Sequence, residues 1–414
     1  MLAGIATRGP QEKMLDFDKA LARILAGVPR LDDEVADTRD IVRRVLRAPV
    51  VSEIDLPLAD NSSMDGYAVR SEDLAEAQSS NPIALKLVAA VPAGEVTETT
   101  VEKGTCIRLF TGSFLPSGAD AVIMQEDTQH DEKNRLVHCT DRVKPWENIR
   151  FKGEDVKRGT TVLTTGTRLK ARHLGIIAAL GLSSCQVSQR PRVGIVATGH
   201  ELQEAGNPLA PGGIYESNRL ILAELVRQVG AVPMVYPLVE DTLDATRQAL
   251  AKAAHENDVV VTSGGVSVGD YDLIRPAIES LGGEIDFWRV RLRPGKPFVF
   301  ARLEGKPLFG LPGNPVSAVT TYMVLVRPAL LAMQGAAETG PAQRACQLRE
   351  SIANRGDRPH FYRIQLDDRE GVTSAGLQGS HALQSLSQAD GWLCVEPGQE
   401  RRPGDVVSVM VWDD

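Results

Sequence analysis

Residues 259–272 read VVVTSGGVSVGDYD, in which an unbroken apolar run passes directly into a loop of three glycines, two serines and two aspartates. The run Val259–Thr262 has the length of a strand, and its apolar character predicts burial on both faces. The flanking segments alternate in the same way. A strand is predicted at 192–197 and another at 232–238, with helices at 217–229 and 242–255. This alternation, which continues to a helix beginning at 315, predicts a parallel sheet with helices on both faces.

The remainder of the chain has a different character. Helices are predicted at 16–25 and 37–46, and a third at 171–180 is expected to end at Gly181. Between residues 52 and 146, short β-prone runs are broken by Gly, Pro and Asp, which is typical of a β-rich domain. Short β-prone runs return after about residue 338 and indicate a small barrel or sandwich. The sequence therefore predicts a multidomain protein that combines α/β and β domains.

Composition excludes several classes of protein. A chain of 414 residues favours two to four domains. The net charge of −8 argues against a nucleic-acid partner, although an anionic small ligand stays open. Five cysteines without a C-x-x-C pair favour a reducing compartment, so a cytoplasmic location is expected. The apolar stretch 316–333 is interrupted by Arg327 and Pro328, and no membrane span is expected.

Ligands of open α/β sheets bind at the carboxyl ends of the strands. The first loop there reads TGHEL (198–202), and Glu201 is a candidate to hold a divalent cation or to orient water. The alternative is a solvated loop acid. In the second loop, 263–272, glycines allow backbone N–H groups to approach a phosphate. The alternative is a flexible turn in which Asp270 or Asp272 caps the next helix.

The third loop carries cations. Arg289, Arg291 and Arg293 alternate along a predicted strand, which would project them to one side. Prolines on both sides of Gly-Lys stiffen the loop around Lys296 and favour an anion clamp. Solvated surface charge is the alternative.

The fourth loop reads GLPGNPVS (310–317). Asn314 as the cap and Pro315 at the first helical position are typical of a helix start. Such a helix end presents free N–H donors, although a purely structural helix start explains the same residues. Together the four loops predict one pocket for an anion.

Two further loops lie upstream. NSSMDGYA (61–68) places Asp65 in a turn, and a second turn-rich loop contains Thr111-Gly112 and PSGADAV (116–122). On their own both are ordinary turns. The phosphate-binding G-x-x-x-x-G-K-[ST], the dinucleotide G-x-G-x-x-G, the zinc H-E-x-x-H and a serine nucleophile elbow are all missing from the sequence. The residue patterns alone therefore indicate an α/β domain that binds a phosphorylated anion together with a metal.

Five motifs taken together carry a family resemblance. SSMDGYA, FTG-x-x-x-P-x-GADAV, SGGVSVGDYD, RPGKP and GLPGNPVS, in this order, resemble the molybdopterin molybdenumtransferase (MoeA) family, whose eukaryotic relatives include the C-terminal part of gephyrin. The resemblance extends from about residue 15 to the end of the chain.

The resemblance implies four domains. They are an elongated discontinuous domain (1–52 plus 147–188), a β-rich inserted domain (53–146), an α/β molybdopterin-binding domain (189–335) and a C-terminal β-barrel (336–414). It also implies a homodimer in which the β-rich domain of one subunit faces the α/β domain of the other. In that arrangement Asp65 and Thr111 would lie beside the glycine loops of the second subunit.

The implied reaction takes adenylylated molybdopterin and molybdate as substrates, cleaves off AMP and delivers molybdenum to the dithiolene, assisted by Mg²⁺. Because molybdate and phosphates are all anionic, cations must offset their repulsion. Molybdopterin adenylyltransferase and proteins that deliver cofactor to molybdoenzymes are implied partners; nucleic acid and membrane are not.

Residue roles carry over by motif. Metal or water handling is implied for Glu201, Asp241 and Asp272, and a catalytic opposing wall for Asp65, Thr111 and Asp155. Contacts to phosphate or molybdate are implied for Arg289, Arg293 and Lys296. The pterin phosphate pocket is implied to contain Ser263, Gly264, Gly265, Ser267, Asp270, Pro312 and Gly313.

The sequence departs from the family pattern at two places. His200 stands where the family usually has Asp, which either alters metal preference or pH response or is a tolerated neighbour of Glu201. Arg289 and Arg293 stand at family Lys positions, and Arg grips oxyanions in a different geometry.

Two alternative functions stay open. One is a molybdopterin adenylyltransferase, which would form pyrophosphate from ATP; the extra domains here fit the insertion step better. The other is a non-enzymatic scaffold of the gephyrin type, which would need partner-binding extensions and long linkers.

Overall fold

The computed structural model describes residues 14–266 and 272–412, which separate into two compact units. The larger unit combines the chain up to Ala48 with Thr165–Gly175 and everything from Ser183 onward. The smaller unit combines Pro49–Thr164 with Ile176–Leu182. The finer division into four domains stays a prediction.

A six-stranded sheet lies at the centre of the larger unit. Across the sheet its strands are Val232–Val235, Arg192–Ala197, Val259–Ser263, Lys306–Leu311, Val299–Leu303 and Glu284–Trp288. The first four are parallel, and the fifth runs antiparallel to both of its neighbours. Ile195, Val261 and Phe309 align in one row across three adjacent strands. The predicted α/β fold is confirmed, with one antiparallel strand that the apolar pattern did not reveal.

Helices cover both faces of this sheet, as predicted. Because successive strand residues point to opposite faces, Ile195 belongs to one apolar cluster and Val196 to a second. Each fully buried aliphatic side chain of this kind contributes about 1.5–3 kcal/mol to folding. The helices of the sheet layer are Asn218–Gln228, Leu243–Glu256, Ile274–Ser280 and the long helix that begins at Pro315.

The long helix changes its winding at its middle. It runs as an α-helix over Pro315–Thr321, as a π-helix over Tyr322–Val326 and as an α-helix again over Arg327–Met333. Pro328 has no N–H to donate to the preceding turn, which accounts for wider winding just before it. By length and composition this helix alone among the described residues is apolar enough to cross a membrane, but 94% of its apolar window is buried inside the protein. Its hydropathy is therefore that of a core helix.

The N-terminal predictions had mixed outcomes. The first helix is confirmed as Phe17–Gly27, with Ala20 and Ile24 fully buried. The helix predicted at 37–46 is wrong: a strand, Asp33–Asp37, is followed by the single 3₁₀ turn Thr38–Asp40. The apolar residues there are buried by extended backbone, since Leu46 bridges to Val187. Helical spacing alone could not reveal this partner, which lies far away in the sequence.

A six-stranded sheet also forms the core of the smaller unit, as the β-rich composition predicted. Its strands, in order across the sheet, are Ala121–Met124, Gly66–Val69, Thr105–Leu109, Ile83–Val91, Leu136–Cys139 and Thr128–Asp131. The predicted third helix is confirmed as Ala171–Ala179, followed by Gly181 with φ of 75°.

The C-terminal part of the larger unit is a closed five-stranded barrel, as predicted. Around the barrel its strands are Gln343–Leu348, Gly371–Ser374, His360–Leu366, Gly391–Val395 and Val406–Val411. A short helix, Leu383–Ser387, precedes the Gly391–Val395 strand.

Short elements complete the two units. Two-stranded pairs are Leu15–Asp16 with Val290–Arg291, Asn61–Ser62 with Ile149–Arg150, Val50–Val51 with Thr161–Leu163, Asp33–Asp37 with Ser184–Ser188, Leu202–Gln203 with Ile214–Tyr215, and Ile352–Ala353 with Glu400–Arg401. Further 3₁₀ turns are Ser71–Leu74 and Gln125–Asp127.

Candidate functional site

A cavity of about 640 Å³ opens at the carboxyl ends of the parallel strands in the larger unit. All four strand-end loops singled out in the sequence contribute to its wall, the third of them through Pro297 alone. The predicted site residues that line it are Glu201, Asp241, Ser263, Gly264, Gly265, Pro312 and Gly313. Asp272, Arg289, Arg293 and Lys296 are not among its lining residues.

Carboxylates occupy one end of this cavity. The Nδ1 atom of His200 lies 3.7 Å from Oε2 of Glu201 and 3.6 Å from Oδ2 of Asp241, so one imidazole stands beside both acids. The Thr198 hydroxyl donates to Oδ1 of Asp241 at 3.2 Å and orients that carboxylate. Within residues 14–266 and 272–412, no group of three or more His, Cys, Asp or Glu side chains is placed to hold one ion. The donors at this end are therefore two carboxylates.

Glycines line another part of the cavity wall, called the glycine end below, and their geometry requires glycine. Gly264 has φ of 90°, and a Cβ there would lie 2.6 Å from the Thr198 carbonyl oxygen. Gly265 has φ of 65°, and its Cβ would lie 2.9 Å from Cγ1 of Ile274. Any side chain would therefore clash and adopt a left-handed backbone that L-residues avoid. Ser267 and Asp270 of the same loop lie outside the described residues.

Asp272 follows this loop at the start of the helix Ile274–Ser280. Burial raises the pKa of its carboxyl to about 7, although backbone N–H groups of Arg275 and Ile274 hydrogen-bond it and work in the opposite direction. Its Oδ1 atom is buried and has no hydrogen-bond partner among the described residues. A half-buried carboxyl with this pKa can hold or release a proton near neutral pH.

The arginine loop differs from its prediction. The strand there is only Val290–Arg291, and Arg289 has φ of 82°. That Arg289, Arg291 and Arg293 project to one side stays a prediction: all three are at least partly exposed and alternate with the fully buried Val290 and Leu292. Arg291 donates to the Asp357 carbonyl at 2.6 Å. Arg293 and Lys296 are exposed.

The fourth loop begins the long helix as predicted, with Asn314 at the cap position and Pro315 next. The expectation that this helix end presents free N–H donors is wrong for Val316. Its N–H donates to the Ser380 carbonyl at 3.1 Å, so a loop of the C-terminal barrel covers that position.

Several cavity residues were missed in the sequence. Asn218 is buried, lines the cavity and donates to both Ser263 and Gly313. His381 and Leu383 come from the barrel, which was not expected to reach the site. The sequence predicts only a helix at 217–229 there, and a polar residue that opens a helix carries no signal of tertiary contact.

The upstream acid is in the smaller unit. The Asp65 Oδ1 atom accepts hydrogen bonds from the backbone N–H and the hydroxyl of Thr111, both at 2.8 Å. These bonds, first the backbone one, lower the pKa of Asp65 below its usual value. The structure thus brings the predicted pair together. Asp155 is exposed, and its backbone N–H donates to Leu56.

Comparisons with known proteins cover nearly the whole chain. Family models described as MoeA N-terminal region (domain I and II), probable molybdopterin binding domain, and MoeA C-terminal region (domain IV) match residues 15–181, 194–332 and 345–412. The cavity lies mainly within the second of these segments.

Curated relatives and solved structures agree. A molybdopterin molybdenumtransferase of Nostoc sp. is 40% identical over 371 residues, which are 88% of this chain and 80% of that one. Molybdopterin molybdenumtransferase 2 of Mycobacterium tuberculosis is 38% identical over 381 residues, 89% of this chain and 92% of that one. The crystal structure of a molybdopterin biosynthesis moeA protein from Pyrococcus horikoshii OT3 matches with a TM-score of 0.80 and 31% identity, covering 97% of this chain and 100% of that one. The chain therefore belongs to the molybdopterin molybdenumtransferase (MoeA) family.

Proposed function

We propose that this chain is the enzyme that inserts molybdenum into adenylylated molybdopterin and releases AMP, and that the strand-end cavity is its active site. One observation carries the proposal: a single cavity is lined both by glycines of two loops and by the carboxylates Glu201 and Asp241. Its volume of about 640 Å³ suits a ligand of pterin size. The alternative adenylyltransferase finds less support, since the curated relatives that match most of the chain are named molybdenumtransferases.

The glycine end binds the pterin phosphate in this proposal. Gly265 and Gly313 carry no side chains, so an oxyanion can approach their N–H groups closely, whereas the N–H of Gly264 already donates to the Leu311 carbonyl at 3.2 Å. The Cβ position of Gly313 lies 3.6 Å from Cα of Gly264, so the second and fourth loops meet there. Substitution at either loop would close the space that the phosphate needs.

The carboxylate end suits Mg²⁺. This ion prefers oxygen donors and commonly takes one or two carboxylates together with waters and substrate phosphates. Glu201 and Asp241 provide that donor set and would hold the ion. Bound there, Mg²⁺ would supply positive charge that offsets the repulsion between molybdate and phosphate oxygens.

Asp272 handles a proton in this proposal. Its pKa of about 7 lets Oδ1 carry a proton near neutral pH, and that atom has no competing partner among the described residues. Asp272 does not line the cavity itself, so its carboxyl would pass that proton to the leaving AMP through a water rather than by direct contact.

The proposal includes a cytoplasmic homodimer. Exposed large apolar side chains flank the Asp65 and Thr111 motifs in the sequence, namely Met64, Phe110 and Phe114. Apolar groups gathered on a surface favour a protein interface. Light scattering coupled to gel filtration would detect the dimer, and a monomer at micromolar concentration would contradict this part.

AMP release under anaerobic conditions tests the function. The full chain should release AMP from adenylylated molybdopterin only when molybdate is present. Glu201→Ala and Asp272→Ala should each lower the rate by about 100-fold or more. Asp244→Ala is the matched control, because Asp244 is a surface acid paired with Arg247 and should leave the rate unchanged. Full activity in both test variants would refute the site, whereas pyrophosphate production from ATP and molybdopterin would favour the adenylyltransferase.

A further inference from the structure

Asn218 joins two loops that come from different strands. It opens the helix Asn218–Gln228 and is only 7% exposed, yet it lines the cavity. Its Nδ2 atom donates to Oγ of Ser263 at 2.8 Å and to the carbonyl of Gly313 at 2.7 Å. Ser263 ends the strand Val259–Ser263, and Gly313 lies in the loop after the neighbouring strand Lys306–Leu311.

The orientation of this amide is fixed by its acceptors. A backbone carbonyl can only accept, so the nitrogen of Asn218 must face Gly313. Both hydrogens of Nδ2 are then used, one on each loop. Asn218 thereby adds a buried side-chain link between two loops that the pairing of Ser263 with Leu311 and the bond from the Gly264 N–H to the Leu311 carbonyl also connect.

The same contact decides what the Ser263 hydroxyl can do. A hydroxyl has one hydrogen to donate, and its oxygen already accepts from Asn218. Within residues 14–266 and 272–412, no protein group takes that hydrogen. Ser263 lines the cavity, so its O–H is left to donate to a ligand there.

We propose that Asn218 is a positioning residue that links the two loops of the glycine end and directs the Ser263 hydroxyl as a donor to the phosphate of the substrate. The inference rests on the proposed function, because it takes a phosphorylated pterin as the ligand. Asn218→Asp is the decisive variant: it keeps the shape but replaces the donor by a charged acceptor. The new carboxylate would repel the Gly313 carbonyl and would draw the Ser263 hydrogen to itself.

The chain offers a matched control in Asn257. That residue is 2% exposed, and its Nδ2 donates to the Tyr236 hydroxyl at 2.9 Å and to the Ala253 carbonyl at 2.8 Å. Its Oδ1 is buried without a partner, as is that of Asn218. Asn257 is not among the cavity-lining residues. Asn257→Asp therefore makes the same chemical change in the same unit away from the cavity.

Binding of adenylylated molybdopterin to the full chain, followed by pterin fluorescence without molybdate, tests the inference. Asn218→Asp should weaken Kd by about 10- to 100-fold, the loss expected for a charge-assisted phosphate contact. The kcat at saturating substrate should stay within about threefold. Asn257→Asp should leave Kd unchanged although it lowers thermal stability to a similar degree.

Other outcomes of the Kd measurement would decide against the inference. An unchanged Kd in Asn218→Asp, or an equal loss in both Asp variants, would overturn the inference. If Asn218→Asp does not fold, Ser263→Ala takes its place: it should weaken Kd by about tenfold, and an unchanged Kd refutes the role of the hydroxyl. A wild-type chain that binds the substrate yet releases no AMP with molybdate would contradict the proposed function and leave the binding comparison intact.

Discussion

Two acids that the motifs singled out have opposite surroundings. Asp65, in the turn of the smaller unit, is only partly exposed and accepts two hydrogen bonds from Thr111, which lower its pKa. Asp272, beside the glycine loop of the larger unit, is half-buried, and burial raises its pKa to about 7. The first is held ionised, whereas the second can carry a proton near neutral pH.

This difference assigns different work to the same residue type. Carboxyl groups whose surroundings move their pKa values apart are suited to separate roles, one as a fixed negative charge and the other as an acid or base. The motif sequences do not show this difference in pKa, because each acid lies within three residues of a glycine and a tyrosine in the sequence. Burial and hydrogen bonding decide which of the two pKa values is raised and which is lowered.

The largest expected effect compares the glycines of the two regions. Gly264 and Gly112 have nearly the same φ, 90° and 88°, but a Cβ at Gly264 meets the Thr198 carbonyl at 2.6 Å while a Cβ at Gly112 meets nothing within 4 Å. Gly112→Ala should cost about 1–2 kcal/mol of backbone strain. Gly264→Ala adds a backbone clash and should cost roughly 2–4 kcal/mol and abolish AMP release. Urea denaturation measures both variants, and equal losses would show that the clash is relieved.

The next largest effect comes from replacing Asp272 or Asp65 by asparagine, which should change the stability of the folded protein in opposite directions. At pH 8 without metal, Asp272→Asn should stabilise the protein by about 1–2 kcal/mol, because it removes a buried charge. Asp65→Asn should lower the melting temperature, because it weakens the acceptor of two Thr111 hydrogen bonds. Calorimetry in EDTA measures the stability of both variants. A change of the same sign in the two would contradict the proposed difference between Asp272 and Asp65.

The sequence was sufficient to predict those elements of the fold that depend on local residue patterns. Apolar runs and their spacing gave the α/β sheet, the helix Phe17–Gly27 and the barrel, since burial of strand and helix faces is written in residue periodicity. The predicted helix at 37–46 failed because its apolar residues pair in extended form with segments more than 100 residues away. A strand was predicted at 298–303, but the antiparallel direction of Val299–Leu303 was not, because strand direction depends on connections rather than on composition.

The candidate site was predictable in its loops but not in its contacts. Glycine and acid motifs indicated Glu201 and Gly264, because those residue types are unusual at strand ends. Asn218 and His381 reach the same cavity only through tertiary packing. The left-handed backbone of Arg289 was also not predicted, because no residue pattern reveals it.

The smallest expected effect is the pH dependence of stability. It tests the difference between the pKa values of Asp272 and Asp65 most directly. The pKa of Asp272 is raised in the folded state, so the folded chain holds a proton that the unfolded chain has already released above its own pKa of 3.8. Stability from this group is present below pH 3.8 and is lost as pH rises towards about 7, and solvent screening of the half-buried carboxyl should limit the whole loss to about 1–2 kcal/mol. The advantage of Asp272→Asn over wild type should therefore grow from pH 4 to pH 7 and then level off. For Asp65 the folded pKa is lowered, so its stabilisation is present above pH 3.8 and is lost as pH falls through the folded value. The deficit of Asp65→Asn should accordingly be constant from pH 5 upward and shrink in stronger acid. Unfolding free energies measured from pH 3 to pH 9 separate the two curves, and a flat difference between Asp272→Asn and wild type would mean that the Asp272 carboxyl is solvated and has an ordinary pKa.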